Sequence, residues 1–215
     1  MRLLITAGPT HEPIDAVRYL GNRSSGRVGI ALADAAAAAG HEVTLLLGPT
    51  HLKVSDGVTT RRYATTAELA GLLDECFGEC DVLVMAAAVS DYVPVVEPGA
   101  TEAKLSRGAG EMTLRLKATP DLVAGVAGER RVDQRVVAFA LEPAGEMVER
   151  GRAKLERKGV DALVANALET PESEGIDAAW LVREPGGGAA VERSGAMDKR
   201  AFGGWLLERV ERLVG

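Results

Sequence analysis

The sequence predicts an α/β domain, a Rossmann-like three-layer fold with a largely parallel central sheet and a small β-hairpin or flap excursion. Three observations point there. Short β-rich apolar runs alternate with stretches of helical pattern along the whole chain. Some of those runs, "DVLVMAAA" above all, are apolar at nearly every position, as strands covered on both faces are. A length of 215 residues with 47% apolar content suffices for one sizeable core, so a single domain spanning residues 1–215 is expected.

The elements follow in order. "RLLITA" is the first strand and passes through a long loop, residues 8–29, into an alanine-rich helix that Gly40 ends as a left-handed cap. "HEVTLLL" and "VTTRRY" are the next strands, and Thr65 or Thr66 caps the helix "AELAGLLDECF". After the strand "DVLVMAAA" comes an excursion over about residues 93–112. In "KATPDLVAGVAG", Thr119 is the expected N-cap, Pro120 the first helical residue and Asp121 the acid at the positive helix end. "RVVAFA", the helix "ERGRAKLERK" and "VDALVANA" complete the alternation. "EPGGGAAVE" is the turn of a late hairpin over about residues 176–193, and Phe202, Leu206, Leu207 and Val210 give the last helix an apolar stripe that packs on the sheet.

Composition narrows the function. A formal charge of -6 disfavours broad affinity for nucleic acid or anionic membranes, yet leaves room for a concentrated basic pocket that holds phosphates. No apolar run approaches a membrane span and no signal peptide is visible, so a cytoplasmic location is expected. Cys76 and Cys80 lack the spacing of a zinc knuckle or a redox pair and read as reduced, semi-buried thiols.

The loop "GPTHEPIDAVRYLGNRSSGRVG" is far longer than the roughly two to six residues that a strand-to-helix connection usually takes. It contains neither G-x-G-x-x-G nor a P-loop pattern. Arg18 suits a carboxylate or phosphate, Asn22 can donate an amide N–H, and Ser24 and Ser25 add hydroxyls. A decorative surface loop is the competing reading. This stretch resembles the signature of the phosphopantothenoylcysteine synthetase (phosphopantothenate cysteine ligase) family. Further segments resemble the same family in the same order. They are "MAAAVSDYVPV" followed by the flap "AKLSR", then "ATPDLV", and then "VVAFALEP" with "ERGRAKLERKGVDALVANAL". A weaker echo falls at Lys199 in "MDKRAF". In the flap, Lys104 keeps the first lysine of the family pattern while Ser106 and Arg107 replace the others, and "ALEP" replaces the bacterial A-A-E-T.

The resemblance implies a nucleotide-dependent ligase that joins 4'-phosphopantothenate to L-cysteine through an acyl nucleotide monophosphate. It implies a homodimer, Mg2+ as cofactor, and CTP ahead of ATP as co-substrate. The flavin decarboxylase domain often fused ahead of this ligase is not seen, so a separate phosphopantothenoylcysteine decarboxylase is an expected partner. By the same resemblance, Asn22 and Lys104 are catalytic, and Arg18, Asn22 and Ser24 bind phosphopantothenate. Met85, Ala86, Ala87, Asp91, Lys104, Pro120, Asp121, Leu122, Val123, Phe139, Lys154 and Lys158 bind the nucleotide, with Asp91 serving the metal. On residue chemistry alone, Lys104 is also an ordinary exposed lysine, Phe139 an ordinary core residue, and Lys154 and Lys158 are also a solvated helix face. The alternatives are a Rossmann-type NAD(P)-dependent oxidoreductase and a non-catalytic nucleotide-binding paralogue. The former needs an acid at the end of the second strand, which here reads "LLLGPTH".

Overall fold

A computed structural model describes residues 1–96, 99–106, 110–168 and 175–215. Its centre is an eight-stranded sheet. In chain order the sheet strands are β1 (Arg2–Ala7), β4 (Glu42–Leu47), β5 (Thr59–Arg62), β6 (Val82–Met85), β9 (Arg135–Glu142), β10 (Ala162–Ala167), β12 (Ala178–Arg183) and β13 (Ala189–Arg193). Spatially they run β13-β12-β10-β9-β6-β1-β4-β5. From β10 to β5 every pairing is parallel, and at the other edge β12 pairs antiparallel with both β10 and β13. All six strands read from the central α/β alternation are present, as is the late hairpin.

Three two-stranded ribbons stand off the sheet: β2 (His11–Pro13) with β3 (Tyr19–Gly21), β7 (Tyr92–Pro94) with β8 (Leu116–Ala118), and β11 (Gly175–Ile176) with β14 (Met197–Asp198). The long opening loop is therefore not an open turn but a hairpin inserted before the first helix. The expected flap lies between the arms β7 and β8. Residues 97–98 and 107–109 of that excursion, Arg107 among them, lie outside the described residues.

The helices are α1 (Arg27–Ala38), α2 (Thr66–Cys76), α3 (Leu122–Glu129), α4 (Met147–Lys158) and α5 (Lys199–Val214). Alternation along the strands splits the core into two layers. Leu3, Ile5 and Ala7 face a cluster containing Ile30 and Ala33 of α1 and Phe202, Leu206 and Val210 of α5. Leu4, Leu46 and Leu83 face the opposite cluster, with Leu69 and Leu73 of α2, Ala127 of α3 and Leu155 of α4. Burial of each such leucine or isoleucine side chain contributes about 1.5–3 kcal/mol, which is why both faces of the central strands are apolar.

The caps mostly follow the sequence. Thr65 caps α2 by accepting the Glu68 N–H, and Gly40 takes a φ of 84° just beyond α1. The start of α3 departs from expectation. Asp121, not Thr119, is the N-cap, its carboxylate accepting the Ala124 N–H at 3.1 Å. Pro120 thus precedes the helix. Thr119 turns away, because its hydroxyl donates to the Ser90 carbonyl at 2.7 Å and its N–H donates to the Asp91 carbonyl at 3.0 Å. Both thiols are free, Cys80 buried and Cys76 half-buried, and burial pushes the Cys80 thiol up to about 12.

Candidate active site at the carboxyl ends of the parallel strands

The chain runs outward from β1 to β4 and β5, then returns to β6 on the other side of β1. That reversal is a topological switch point, where the loops leaving two neighbouring strands diverge and open a crevice. Here the two loops are stitched together. Ala88 N–H donates to the Gly8 carbonyl at 2.9 Å, Thr10 N–H donates to the Ala88 carbonyl at 3.2 Å, and Pro9 and Ala88 form a bridge. Below them, the Thr6 hydroxyl of β1 accepts the Ala87 N–H at 3.0 Å. The backbone after β6 is therefore fixed by β1 rather than left as a free turn.

A buried polar chain supports the same loop from behind. The Glu12 carboxylate accepts the Thr66 N–H at 2.9 Å and the Thr66 hydroxyl at 2.6 Å. Thr66 Oγ1 lies 3.3 Å from Thr10 Oγ1, which lies 3.1 Å from Ser90 Oγ and accepts the Ser90 N–H at 3.0 Å. All four residues are buried. Such a network holds a loop in place because each of its polar groups would be costly to leave unpaired.

Over these strand ends lies a cleft of about 870 Å³, a size suited to a drug-sized ligand or cofactor. It collects most of the residues singled out from the sequence: Asn22, Ser24, Met85, Ala86, Ala87, Asp91, Pro120, Asp121, Leu122, Val123, Phe139, Lys154 and Lys158. Arg18 and Lys104 are not among its lining residues. The Asn22 amide donates to the Val89 carbonyl at 3.0 Å and the Ala88 carbonyl at 3.3 Å, so it clips the loop before α1 onto the loop after β6. Phe139 is half-buried in the middle of β9 rather than at its end, and it still reaches the cleft wall.

The basic groups divide between paired and cleft-facing roles. Lys158 donates to both carboxylate oxygens of Asp121, at 2.6 and 2.8 Å. Lys154 lies 2.5 Å from the buried Glu142 carboxylate. The two lysines share one face of α4, as their spacing requires, but each already has an acidic partner. Burial pushes the Asp121 carboxyl up, and the Lys158 ammonium with the Ala124 N–H outweighs it, holding the group below the ordinary carboxylate range. Arg18 is likewise engaged, with its guanidinium on the Asp15 carboxylate. Lys104 is exposed on the flap.

Sequence reasoning passed over Arg27 and Asn166, and gave Lys199 only a faint echo, yet all three line the cleft. Lys199 is the first residue of α5. Asp198 caps that helix by accepting the Arg200 and Ala201 N–H groups at 2.9 and 2.8 Å, and Lys199 is buried at the cleft wall. The capping aspartate before "KRAF" was the legible signal. Burial, and then the neighbouring Arg27 charge, push the Lys199 ammonium below its usual range. Gly26, in the left-handed region at φ 78°, starts α1 without a side-chain cap, and Arg23, Arg27 and Lys199 all line the cleft beside it. The first helical N–H, that of Arg27, reaches only the Ser25 hydroxyl, at 3.5 Å, and a helix start with cations beside it favours an anionic ligand.

Asp91 stands at the cleft wall, exposed, and its carboxylate has no partner among the described residues. No cluster of three or more histidine, cysteine or acidic side chains suited to a metal occurs among the described residues. No described helix is long and apolar enough to cross a membrane.

The chain is 39% identical over 203 residues to the coenzyme A biosynthesis bifunctional protein CoaBC of Mycobacterium bovis, covering 89% of this chain and 48% of the relative. It is 44% identical over 171 residues to a protein named cysteine/cysteine sulfinic acid decarboxylase from an unknown prokaryotic organism, covering 79% of this chain and 46% of that one. The chain thus spans about half the length of these curated relatives. Among solved structures, the C-terminal domain of a CoaBC protein superposes with a TM-score of 0.77 at 29% identity, covering 99% of this chain and 95% of that one. Residues 1–213 match the family described as the DNA/pantothenate metabolism flavoprotein C-terminal domain, and the chain belongs to that family.

Proposed function

We propose that this domain is a nucleotide-dependent ligase that condenses 4'-phosphopantothenate with L-cysteine, giving 4'-phosphopantothenoylcysteine for coenzyme A synthesis. The observation that carries the reading is the cleft itself. Cations from three separate segments, Arg23 and Arg27 at the start of α1, Lys154 and Lys158 on α4, and Lys199 on α5, line a crevice over the carboxyl ends of β6 and β9 in a chain whose formal charge is -6. Such a local field suits a triphosphate and a phosphorylated acid together.

The chemistry follows from the substrates. A free carboxylate is a poor acyl donor, so it first attacks the nucleotide α-phosphorus, forming an acyl phosphate anhydride while the bond to pyrophosphate breaks. The cysteine amine then attacks the acyl carbon, its proton passes to solvent or base, and the nucleoside monophosphate leaves. The small side chains of Ala86 and Ala87 let the nucleotide approach the backbone, and Phe139 offers an apolar wall for the base. Asn22 is placed to polarise the acyl carbonyl in the second step by exchanging its longer bond, the one to Ala88, for the substrate oxygen. Ser24 stands beside it on the same wall. Asp91 with triphosphate oxygens fits a Mg2+ ion, which takes few protein ligands alongside substrate phosphates. Bound there, the ion would neutralise charge on the triphosphate. CTP is the proposed nucleotide.

Arg18 and Lys104 act from outside the cleft wall of a single chain. Val17, Tyr19, Tyr92, Leu105, Met112 and Leu116 are exposed apolar residues on the β2–β3 and β7–β8 ribbons and the flap. Burying such a patch against a second copy supports a homodimer that completes the site. The acids lining the cleft, Asp91 and Asp121, follow β6 and cap α3, not the end of β4 where a dinucleotide ribose would be held, which disfavours the oxidoreductase reading. The test is pyrophosphate release with Mg2+ and each nucleotide in turn. Release that requires 4'-phosphopantothenate supports the proposal. Release that ignores it, or none with any nucleotide, refutes it.

A further inference from the structure

Arg18 and Lys104 are far apart in the sequence and outside the cleft wall, yet both are tied to one side chain. Asp15, in the turn between β2 and β3, has no solvent-exposed side-chain surface. Its Oδ1 accepts the Val17 and Arg18 N–H groups at 3.0 and 2.9 Å. Its Oδ2 accepts from Arg18 Nε at 2.9 Å and Nη2 at 2.5 Å. The same oxygen accepts the backbone N–H of Leu105 in the flap at 3.1 Å. One residue along, the Ala16 N–H donates to the Ala103 carbonyl at 3.3 Å. These two flap bonds bracket Lys104, whose exposed side chain emerges between them.

A carboxylate that only closed its own turn would account for the bonds to Val17 and Arg18. It would not account for a bond reaching 90 positions along the chain. The Arg18 guanidinium holds the Asp15 carboxyl well below the usual carboxylate range, so the clasp stays charged at neutral pH. Charge-assisted bonds of this kind are short and directional, which suits them to fixing where a neighbouring group points.

We propose that Asp15 is a positioning residue for the acid-activation step: one buried carboxylate orients the Arg18 guanidinium and anchors the flap on both sides of Lys104, holding the two cations in fixed relation. The inference rests on the ligase reading. It assigns Asp15 no contact with substrate. A misplacement of about 1 Å can lower a rate by about a hundredfold, so loosening the clasp should slow acyl nucleotide formation strongly without abolishing the cleft.

The experiment uses Asp15→Asn, which keeps the side-chain shape but turns an amide donor toward Arg18 or Leu105. Expected are a drop of about tenfold or more in the single-turnover rate of acyl nucleotide formation, little change in nucleotide affinity, and faster hydrogen exchange at flap amides 103–106 with β1 and β6 unchanged. Placed in a Lys104→Gln background, Asp15→Asn should cost clearly less than it does alone, because the part of its effect that runs through that lysine is already lost and only the Arg18 part remains. Leu105→Pro removes the flap donor, and restricts the Lys104 backbone with it, while leaving the Asp15–Arg18 pair, and it should reproduce the rate effect and the faster exchange at amides 103, 104 and 106. Unchanged flap exchange in Asp15→Asn, a loss that multiplies with Lys104→Gln, or a silent Leu105→Pro would each overturn the proposal. An unaltered chain without ligase turnover would overturn the ligase reading and the catalytic role with it, whereas the exchange result bears on the clasp alone.

Discussion

Substituting Gly29 with alanine sets two opposing effects against each other at the floor of the cleft. Gly29 lies in the first turn of α1, where the helix rests directly on β1. A Cβ there would stand 2.6 Å from the Ala7 Cβ, 3.1 Å from the Thr6 carbonyl oxygen and 3.3 Å from the Ala7 Cα. Carbon atoms in contact prefer about 3.5–4.0 Å, so α1 must lift by about 1 Å, since the atoms it meets belong to the strand backbone or are attached to it. Alanine returns about 1 kcal/mol in helix propensity, while overpacking costs about 1–3 kcal/mol. The net loss of stability is therefore at most about 2 kcal/mol. Turnover should suffer more, falling by as much as about a hundredfold, because Gly26, Arg27 and the Asn22 loop move with the helix start. Urea unfolding midpoints and pyrophosphate release read the two effects separately. Gly204→Ala in α5 is the control, because its Cβ would meet nothing within 4 Å. It should gain up to about 1 kcal/mol and leave turnover alone. If Gly29→Ala gains stability like Gly204→Ala and keeps full turnover, the close approach of α1 to β1 does not shape the site.

Asn22→Asp removes the donor that holds the Ala88 and Val89 carbonyls and places negative charge beside the acyl oxygen. Acyl nucleotide should accumulate, visible by mass spectrometry, as amide formation slows by about a hundredfold. Lys158→Met leaves the Asp121 carboxylate without its cation. The folded-state pKa of Asp121 is depressed, so the stability it contributes is present above the unfolded value of about 3.9 and is lost as pH falls through the folded one. Unfolding midpoints taken from about pH 6 downward should show a shallower acid-side decline in the variant, and an unchanged slope would count against the pair. Cys80, buried and with its thiol pushed up to about 12, should resist thiol reagents until the chain unfolds, whereas half-buried Cys76 reacts first. Equal labelling rates in the native protein would contradict that placement.

The sheet was legible because its strands announce themselves twice, by apolar runs such as "DVLVMAAA" and by the helical pattern between them. What periodicity cannot report is which groups meet across long separations. Nothing local to Thr119 says that its hydroxyl will be taken by Ser90, which frees Asp121 to cap α3. The partners of Lys154 and Lys158 were equally hidden. Their shared helix face was readable, but Glu142 and Asp121 come from a strand and a helix start elsewhere in the chain. The opening loop showed its chemistry without its shape. Its polar groups were visible, while the β2–β3 ribbon that places Asn22 on the cleft and Arg18 off it depends on pairing Glu12 with Leu20 and on His11 stacking on Tyr19 at 3.7 Å. Lys199 was hard to see because it reaches the cleft only when α5 folds back over α1.

The central claim is that the cleft turns a carboxylate into an acyl phosphate anhydride before cysteine enters. It is tested most directly by supplying 4'-phosphopantothenate whose carboxylate carries heavy oxygen, with CTP, Mg2+ and cysteine, and analysing every phosphate-bearing product. Attack on the α-phosphorus transfers one carboxylate oxygen to the nucleoside monophosphate, so CMP should carry one heavy oxygen per turnover while pyrophosphate carries none. Heavy oxygen in inorganic phosphate, or CMP free of label, would contradict the account.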